Sequence, residues 1–297
     1  MSDNKFSPEI DAATGARVGR IMDPDGVGIY TYTWEVPRPR AVIHIAHGVG
    51  EHARRYAPLA RELNAAGYTV VADDHRGHGR SGLEAGGLAD LGPGRVRGAI
   101  NSLRSVGESI RADYPGLPLV LLGHSWGSLM AQKIVNTTTI YDAVVLSGSS
   151  LAVPGVLNAG DLNKRWRGPE STGLEWLGRD PAVGEAFSAD PLNFDIAVTP
   201  AWSTFEALGL LGRPPRRMPR DIPMLIQGGE DDPLGGRRGL TKLDAAYRRR
   251  AGLSDVTLQI YPGARHEIYN ETNRDEIIAD LISWLDARMP AAQAPAG

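Results

Sequence analysis

Short, mostly apolar runs closed by glycine or polar residues recur along this chain: Ala41 to Ala46, Thr69 to Ala72, Leu117 to Leu122, Ala143 to Leu146, Pro223 to Gln227 and Val256 to Tyr261. Runs of this kind suit strands buried on both faces, as in a parallel sheet covered by helices. Ahead of them, Arg17 to Met22 and the partly alternating Val27 to Val36 flank the turn sequence Asp23-Pro24-Asp25-Gly26, which predicts an antiparallel hairpin. Helical character falls between the runs, at Arg54 to Ala66, Arg95 to Ala112, Ser128 to Thr137, Arg238 to Ala251 and Glu271 to Arg288. Such alternation predicts a mostly parallel, doubly wound α/β sheet with right-handed crossovers. From Ser150 to Arg220 the alternation stops, and Pro, Gly, Trp and Arg accumulate. A stretch this long without a clear strand, set between two core strands, reads as a cap, expected to be helical, inserted over one end of the sheet. The expected organisation is a single domain over 1–297, with a core of about 16–149 and 221–288, a cap of about 150–220 and a disordered, alanine- and proline-rich tail of about 289–297.

Composition narrows the function. A chain of 297 residues can bury a large core, and a net charge of −3 gives no electrostatic basis for binding nucleic acid. The absence of cysteine excludes disulfides, thiolate metal sites and cysteine nucleophiles. Met1-Ser2-Asp3-Asn4-Lys5 lacks the apolar core of a secretion signal, and no apolar run reaches the roughly 18 residues of a membrane span. The expectation is a cytoplasmic protein without stable membrane insertion, whose cap could touch a lipid interface transiently.

Gly123-His124-Ser125-Trp126-Gly127 follows the run Leu117 to Leu122 and precedes a helix-compatible segment. A G-x-S-x-G sequence at a strand-to-helix junction describes a nucleophile elbow, with Ser125 Oγ exposed above the sheet. A serine hydroxyl needs a base, usually a histidine oriented by a carboxylate. Of seven histidines, at 44, 47, 52, 75, 78, 124 and 266, only His266 lies beyond Ser125, so the chain order Ser, acid, His selects it. Its loop follows the strand Val256 to Tyr261, at the sheet edge where ligand sites form. The preceding strand leads into Gly228-Gly229-Glu230-Asp231-Asp232-Pro233-Leu234, which offers three carboxylates. A glycine three residues earlier and a following Pro favour Asp232. Asp231 also has a glycine at that distance and stays open, with Glu230 third.

An oxyanion hole takes backbone N–H groups, each worth about 3 to 4 kcal/mol of transition-state stabilisation in a studied protease. Trp126 N–H is one candidate, and Val49 N–H in His47-Gly48-Val49-Gly50-Glu51-His52 is the other, with His47 and Glu51 orienting that loop. Neither His44, His47 and His52 nor His75 and His78 show a zinc-protease spacing, so no metal is expected. The turn Gly77-His78-Gly79 reads as a loop held by Asp74 or His78.

Together, the donor loop with Arg55-Tyr56, Asp74-His75-Arg76-Gly77-His78-Gly79-Arg80-Ser81, the elbow, Gly229 to Pro233 and Gly263-Ala264-Arg265-His266-Glu267 resemble the α/β-hydrolase superfamily, and within it the monoacylglycerol lipase and lysophospholipase-like serine hydrolases. The resemblance spans about 20–288 and is weak in the cap. It implies hydrolysis of small lipophilic carboxylic esters without metal or organic cofactor, with Ser125, Asp232 and His266 as triad and Val49 and Trp126 as oxyanion donors. A peptidase, amidase or C–C bond hydrolase would keep the same triad, and a non-catalytic binding module is the reading from another class. Serine rather than aspartate at the elbow disfavours an epoxide hydrolase or dehalogenase.

Overall fold

The computed structural model describes residues 9–158 and 160–289. Its sheet has eight strands: β1 (Arg17–Met22), β2 (Gly28–Trp34), β3 (Val42–Ala46), β4 (Thr69–Asp73), β5 (Leu119–His124), β6 (Ala143–Ser147), β7 (Met224–Gly229) and β8 (Val256–Tyr261). They lie in the order β1-β2-β4-β3-β5-β6-β7-β8. The first two form the expected antiparallel hairpin, β2 pairs antiparallel with β4, and every pairing from β4 to β8 is parallel.

Among the described residues, eight α-helices accompany the sheet: α1 (Ala57–Ala65), α2 (Gly79–Glu84), α3 (Arg95–Asp113), α4 (Trp126–Val135), α5 (Pro181–Ala189), α6 (Thr204–Ala207), α7 (Gly236–Ala245) and α8 (Arg274–Arg288). Successive strand residues point to opposite faces, so the continuous apolar runs feed two cores. Val42, Leu119, Leu121, Val144 and Leu146 pack with α3, α4 and α7, whereas Ile43, Ile45, Val120, Leu122 and Val145 pack with α1 and α8. That division is why the inner strands read as uninterrupted hydrophobic stretches.

Between β6 and β7 the chain is less helical than expected. Among the described residues there, only α5, α6 and short 3-10 turns at Lys164–Trp166 and Leu208–Leu210 are regular, and irregular backbone joins them. Side chains supply the missing order: Asn163 Oδ1 accepts from Trp176 N–H at 3.0 Å, and Glu175 accepts from Thr172 N–H at 2.6 Å. Of the tail expected to be disordered, Met289 is buried and its N–H donates to Leu285 O, while 290–297 lie outside the described residues. Among the described residues no helix is long and apolar enough to cross a membrane.

Candidate active site

Ser125 joins β5 to α4 with φ 52° and ψ −121°. A left-handed serine costs on the order of 1–3 kcal/mol, so it persists only where its surroundings dictate it. Here the sheet and the helix both do. Ser125 N–H donates to Ser147 O at 3.0 Å on β6, and Ser125 O accepts from Ser128 N–H at 2.9 Å and Leu129 N–H at 3.1 Å in α4. At Gly127 a Cβ would overlap the carbonyl oxygens of Ala46 and His47 at the end of β3, so only glycine lets the helix start this close to the sheet. The serine does not stand open as the sequence suggested: it is 9% exposed. The segment between β6 and β7 closes over its neighbours, with Trp202 against Trp126 at 5.2 Å and Trp176 against His266 at 4.8 Å between ring centroids.

His266 follows β8, and its Nδ1 lies 3.0 Å from Asp232 Oδ1 in the loop after β7. A carboxylate only accepts, so Nδ1 carries the proton and Nε2 is left with a lone pair. That Nε2 is buried and has no hydrogen-bond partner among the described residues. Burial opposes charge on the ring, but Asp232, by charge and by hydrogen bond, outweighs it, and the pKa is raised above the ordinary imidazole value. Asp232 is itself buried and also accepts Leu234 N–H at 2.9 Å. The other two carboxylates of the loop point elsewhere: Asp231 to Arg165 at 2.5 Å and Glu230 to Arg237 at 2.9 Å. Ser125 and His266 are brought to the same sheet edge without a hydrogen bond between them among the described residues, and such bonds commonly tighten only when substrate binds.

The third element is the loop after β3. His75 N–H donates to His47 Nε2 at 3.0 Å, so Nε2 is the acceptor and Nδ1 donates to Gly48 O at 2.6 Å. Burial, with His75 and His78 nearby, pushes His47 well below the usual imidazole pKa, which keeps this neutral tautomer. Gly48 N–H donates to Glu51 Oε1 at 2.6 Å. Between these two constraints, Val49 N–H has no acceptor among the described residues, and neither has Trp126 N–H. Gly50 has φ 78°, and its O accepts from Phe194 N–H at 2.9 Å. A Cβ on Gly50 would overlap Phe194 O, so the loop and the segment between β6 and β7 meet backbone to backbone.

Sequence reasoning placed Glu51 and Arg55 in a motif without seeing their partner. Arg55 donates to Glu51 Oε2 at 2.6 Å and forms a bidentate pair with Glu267, both bonds at 2.9 Å. Tyr56 OH adds a bond to Glu51 at 2.8 Å. The donor loop and the residue after His266 are thus joined through one guanidinium. Beside this network lies a cavity of about 20 Å³, lined by Glu51, Arg55, His124 and Glu267 among others, with room for about one water and none for an acyl chain.

The remaining histidines are tied down locally. His44 bridges Tyr141 OH and Asp73, each at 2.8 Å, and His75 Nδ1 takes the other Asp73 oxygen at 2.6 Å. In the turn of 77–79 both expected anchors act: Asp74 accepts Ala53 N–H at 2.9 Å and Arg80 N–H at 2.8 Å, and His78 donates to Arg76 O at 2.8 Å.

A parallel sheet that delivers a serine, a carboxylate and a histidine to one edge from β5, β7 and β8, in that chain order, has the architecture of the α/β-hydrolases. Comparison with known proteins makes the assignment finer. The model of the serine aminopeptidase, S33, family matches residues 37–273, and the chain belongs to this family. It is 34% identical over 260 residues to the monoacylglycerol lipase of Mycolicibacterium smegmatis, covering 83% of this chain and 88% of that one. Among solved structures, the monoacylglycerol lipase of Paleococcus ferrophilus superposes with a TM-score of 0.66 at 26% identity, covering 87% of this chain and 98% of that one. A thermostable carboxyl esterase from Bacillus coagulans reaches a TM-score of 0.77 at 24% identity over 92% and 98% of the two chains, which supports the fold.

Proposed function

We propose that the protein hydrolyses carboxylic esters of lipophilic acids, monoacylglycerols or lysophospholipids among them, through an acyl-enzyme. Ser125 Oγ attacks the carbonyl while His266 Nε2 takes its proton, and Asp232 holds the ring and stabilises the imidazolium. Val49 N–H and Trp126 N–H receive the developing oxyanion. His266 then protonates the leaving alcohol and deprotonates the water that releases the acid. One observation carries this reading: His266, bonded at Nδ1 to Asp232, has its Nε2 without a partner among the described residues, in a buried site next to the elbow.

The substrate class rests on the relatives' names and on the shape of the site. The cavity beside Arg55 is too small for an acyl chain. We assign the acyl chain to the other side, where Trp126, Trp202, Phe194 and His78 cluster, with the residues of 150–220 as a cap on a single domain. Val198, Phe205 and Leu208 are 78%, 83% and 56% exposed on that cap and suit brief contact with a lipid interface. Of the arginines that make the region basic, 165, 167, 179 and 220 are already paired with carboxylates, which weakens the case for steering anionic head groups.

The family description raises a second reading, removal of an amino-terminal residue from a peptide. That chemistry calls for a carboxylate free to receive an ammonium group. Glu51 and Glu267 share Arg55, and Asp190 is bonded to His52 at 2.8 Å, so the carboxylates around the site are engaged and the ester reading is favoured. The test is a panel of a p-nitrophenyl ester, a monoacylglycerol and an aminoacyl anilide, run with the native enzyme and with Ser125→Ala. Turnover of both esters, lost in the variant, is expected. Preference for the anilide, or full activity of Ser125→Ala, would overturn the reading.

A further inference from the structure

His266 owes its ring orientation to Asp232, but its backbone is held by other groups. The N–H of His266 donates to Trp176 O at 3.3 Å, and the N–H of Glu267 donates to Leu177 O at 2.7 Å. Both acceptors belong to the cap. One residue earlier, Arg265 donates its guanidinium to Gly178 O at 3.0 Å and stacks over the Trp166 ring at 4.6 Å, again in the cap. The histidine loop therefore uses irregular cap backbone where a strand would use a neighbouring strand.

What fixes that cap backbone is Glu271, whose side chain is fully buried. Its Oε1 accepts Arg265 N–H at 2.7 Å and Arg179 N–H at 3.2 Å, and its Oε2 accepts Arg179 Nε–H at 2.7 Å and Thr272 N–H at 3.0 Å. Arg179 also reaches Asn273 Oδ1 at 2.5 Å. A buried carboxylate is tolerated only with such a full set of donors, and this set spans the two sides of the seam, the residue before His266 and the cap residue that follows Gly178. Among the described residues Glu271 makes no hydrogen bond with the histidine ring through which it could act on the proton directly. All its leverage runs through the peptide that carries the ring.

We infer that Glu271 is a positioning residue for His266, and that the cap segment of 176–179, clamped to it through Arg179, is the mount of the base rather than a removable cover. This rests on the reading of His266 as the base. A shift of about 1 Å in a catalytic group can cost about 100-fold in rate, so loosening the seam acts on turnover more than on binding.

The experiment compares Glu271→Gln, Glu271→Asp, Arg179→Met and Ser125→Ala on a short-chain p-nitrophenyl ester across a pH series. Glu271→Gln turns an amide toward two donors. Its kcat is expected to fall about 10- to 100-fold with KM within twofold, and the acid limb of its pH profile is expected to move to lower pH as the ring loosens from Asp232. Glu271→Asp, which keeps the charge, should recover part of the loss. Arg179→Met leaves Glu271 in place and decides the matter if Glu271→Gln does not fold: a fall in kcat of at least fivefold with a shifted limb supports the inference. Unchanged kcat and an unmoved limb in the folded variants, beside an inactive Ser125→Ala, overturn it while leaving the triad reading intact. A raised KM at constant kcat also overturns it, and an active Ser125→Ala overturns both.

Discussion

The core around Ser125 and the segment between β6 and β7 are built on different principles. In the core, position follows from repeating backbone bonds: β5 sits between β3 and β6, and the strained elbow is held by Ser147 on one side and α4 on the other. In the insertion, position follows from single side chains, Asn163 and Glu175 within it and Glu271 from the core, each satisfying backbone groups that no strand or helix satisfies, with Arg179 held against Glu271. The first kind of order tolerates little local change and fixes chemistry. The second can be rebuilt residue by residue, except at the seam with the His266 loop.

The sharpest way to break that contrast lies in the acid loop, where two adjacent aspartates face the two regions. Asp232→Asn should lower kcat by about 10⁴-fold, because the amide stabilises the wrong tautomer of His266. Asp231→Asn loses only an exposed pair with Arg165, worth about 1 kcal/mol or less, and should stay within about twofold. Steady-state kinetics of the two variants decide it, and a larger loss at Asp231 would contradict the assignment. On the insertion side, Trp202→Ala removes a ring that packs on Trp126. It should cut kcat/KM for long-chain esters by about tenfold and leave short-chain esters nearly unchanged. Equal losses on both would place Trp202 with the core machinery instead.

Titration gives the smallest effects and, within the core, separates His266 from the other buried histidines by sign. The pKa of His266 is raised, and the base works only when neutral, so the acid limb of kcat/KM should lie above pH 6.5, with activity rising as pH increases through it. His78 and His124 have the opposite shift. Burial, their largest influence, pushes both down to about 3, so the folded state holds them neutral where the unfolded chain takes up a proton. Their contribution to stability is complete above about pH 6.5 and is lost as pH falls toward 3, at up to about 1.4 kcal/mol per histidine per pH unit. Urea unfolding between pH 7 and pH 4 measures the loss. Replacing His78 with a neutral residue of similar size should flatten the slope.

Much of the core was legible because its signals are local. β8 falls at Val256–Tyr261 as the apolar run predicts, and the single histidine beyond Ser125 lies 3.0 Å from Asp232. Boundaries moved where a tertiary bond intervened. β5 runs on to His124 because Gly123 and His124 still pair with Ala46 and Ser147. α8 begins at Arg274 rather than Glu271 because Ile268–Asn270 turn as a 3-10 helix while the Glu271 carboxylate accepts from Arg265 and Arg179. The insertion was illegible for the same reason. Its order comes from partners far apart in sequence, such as Arg179 with Glu271 and Gly178 O with Arg265, and these leave no period to read.

The account stands or falls on Ser125 as the nucleophile that His266 activates. Mass spectrometry of the protein after treatment with a fluorophosphonate, followed by peptide mapping, tests this directly. One adduct is expected, on the peptide containing Ser125, formed rapidly by the native enzyme, much more slowly by Asp232→Asn and not at all by Ser125→Ala. An adduct at another residue, or labelling that persists in Ser125→Ala, would contradict it.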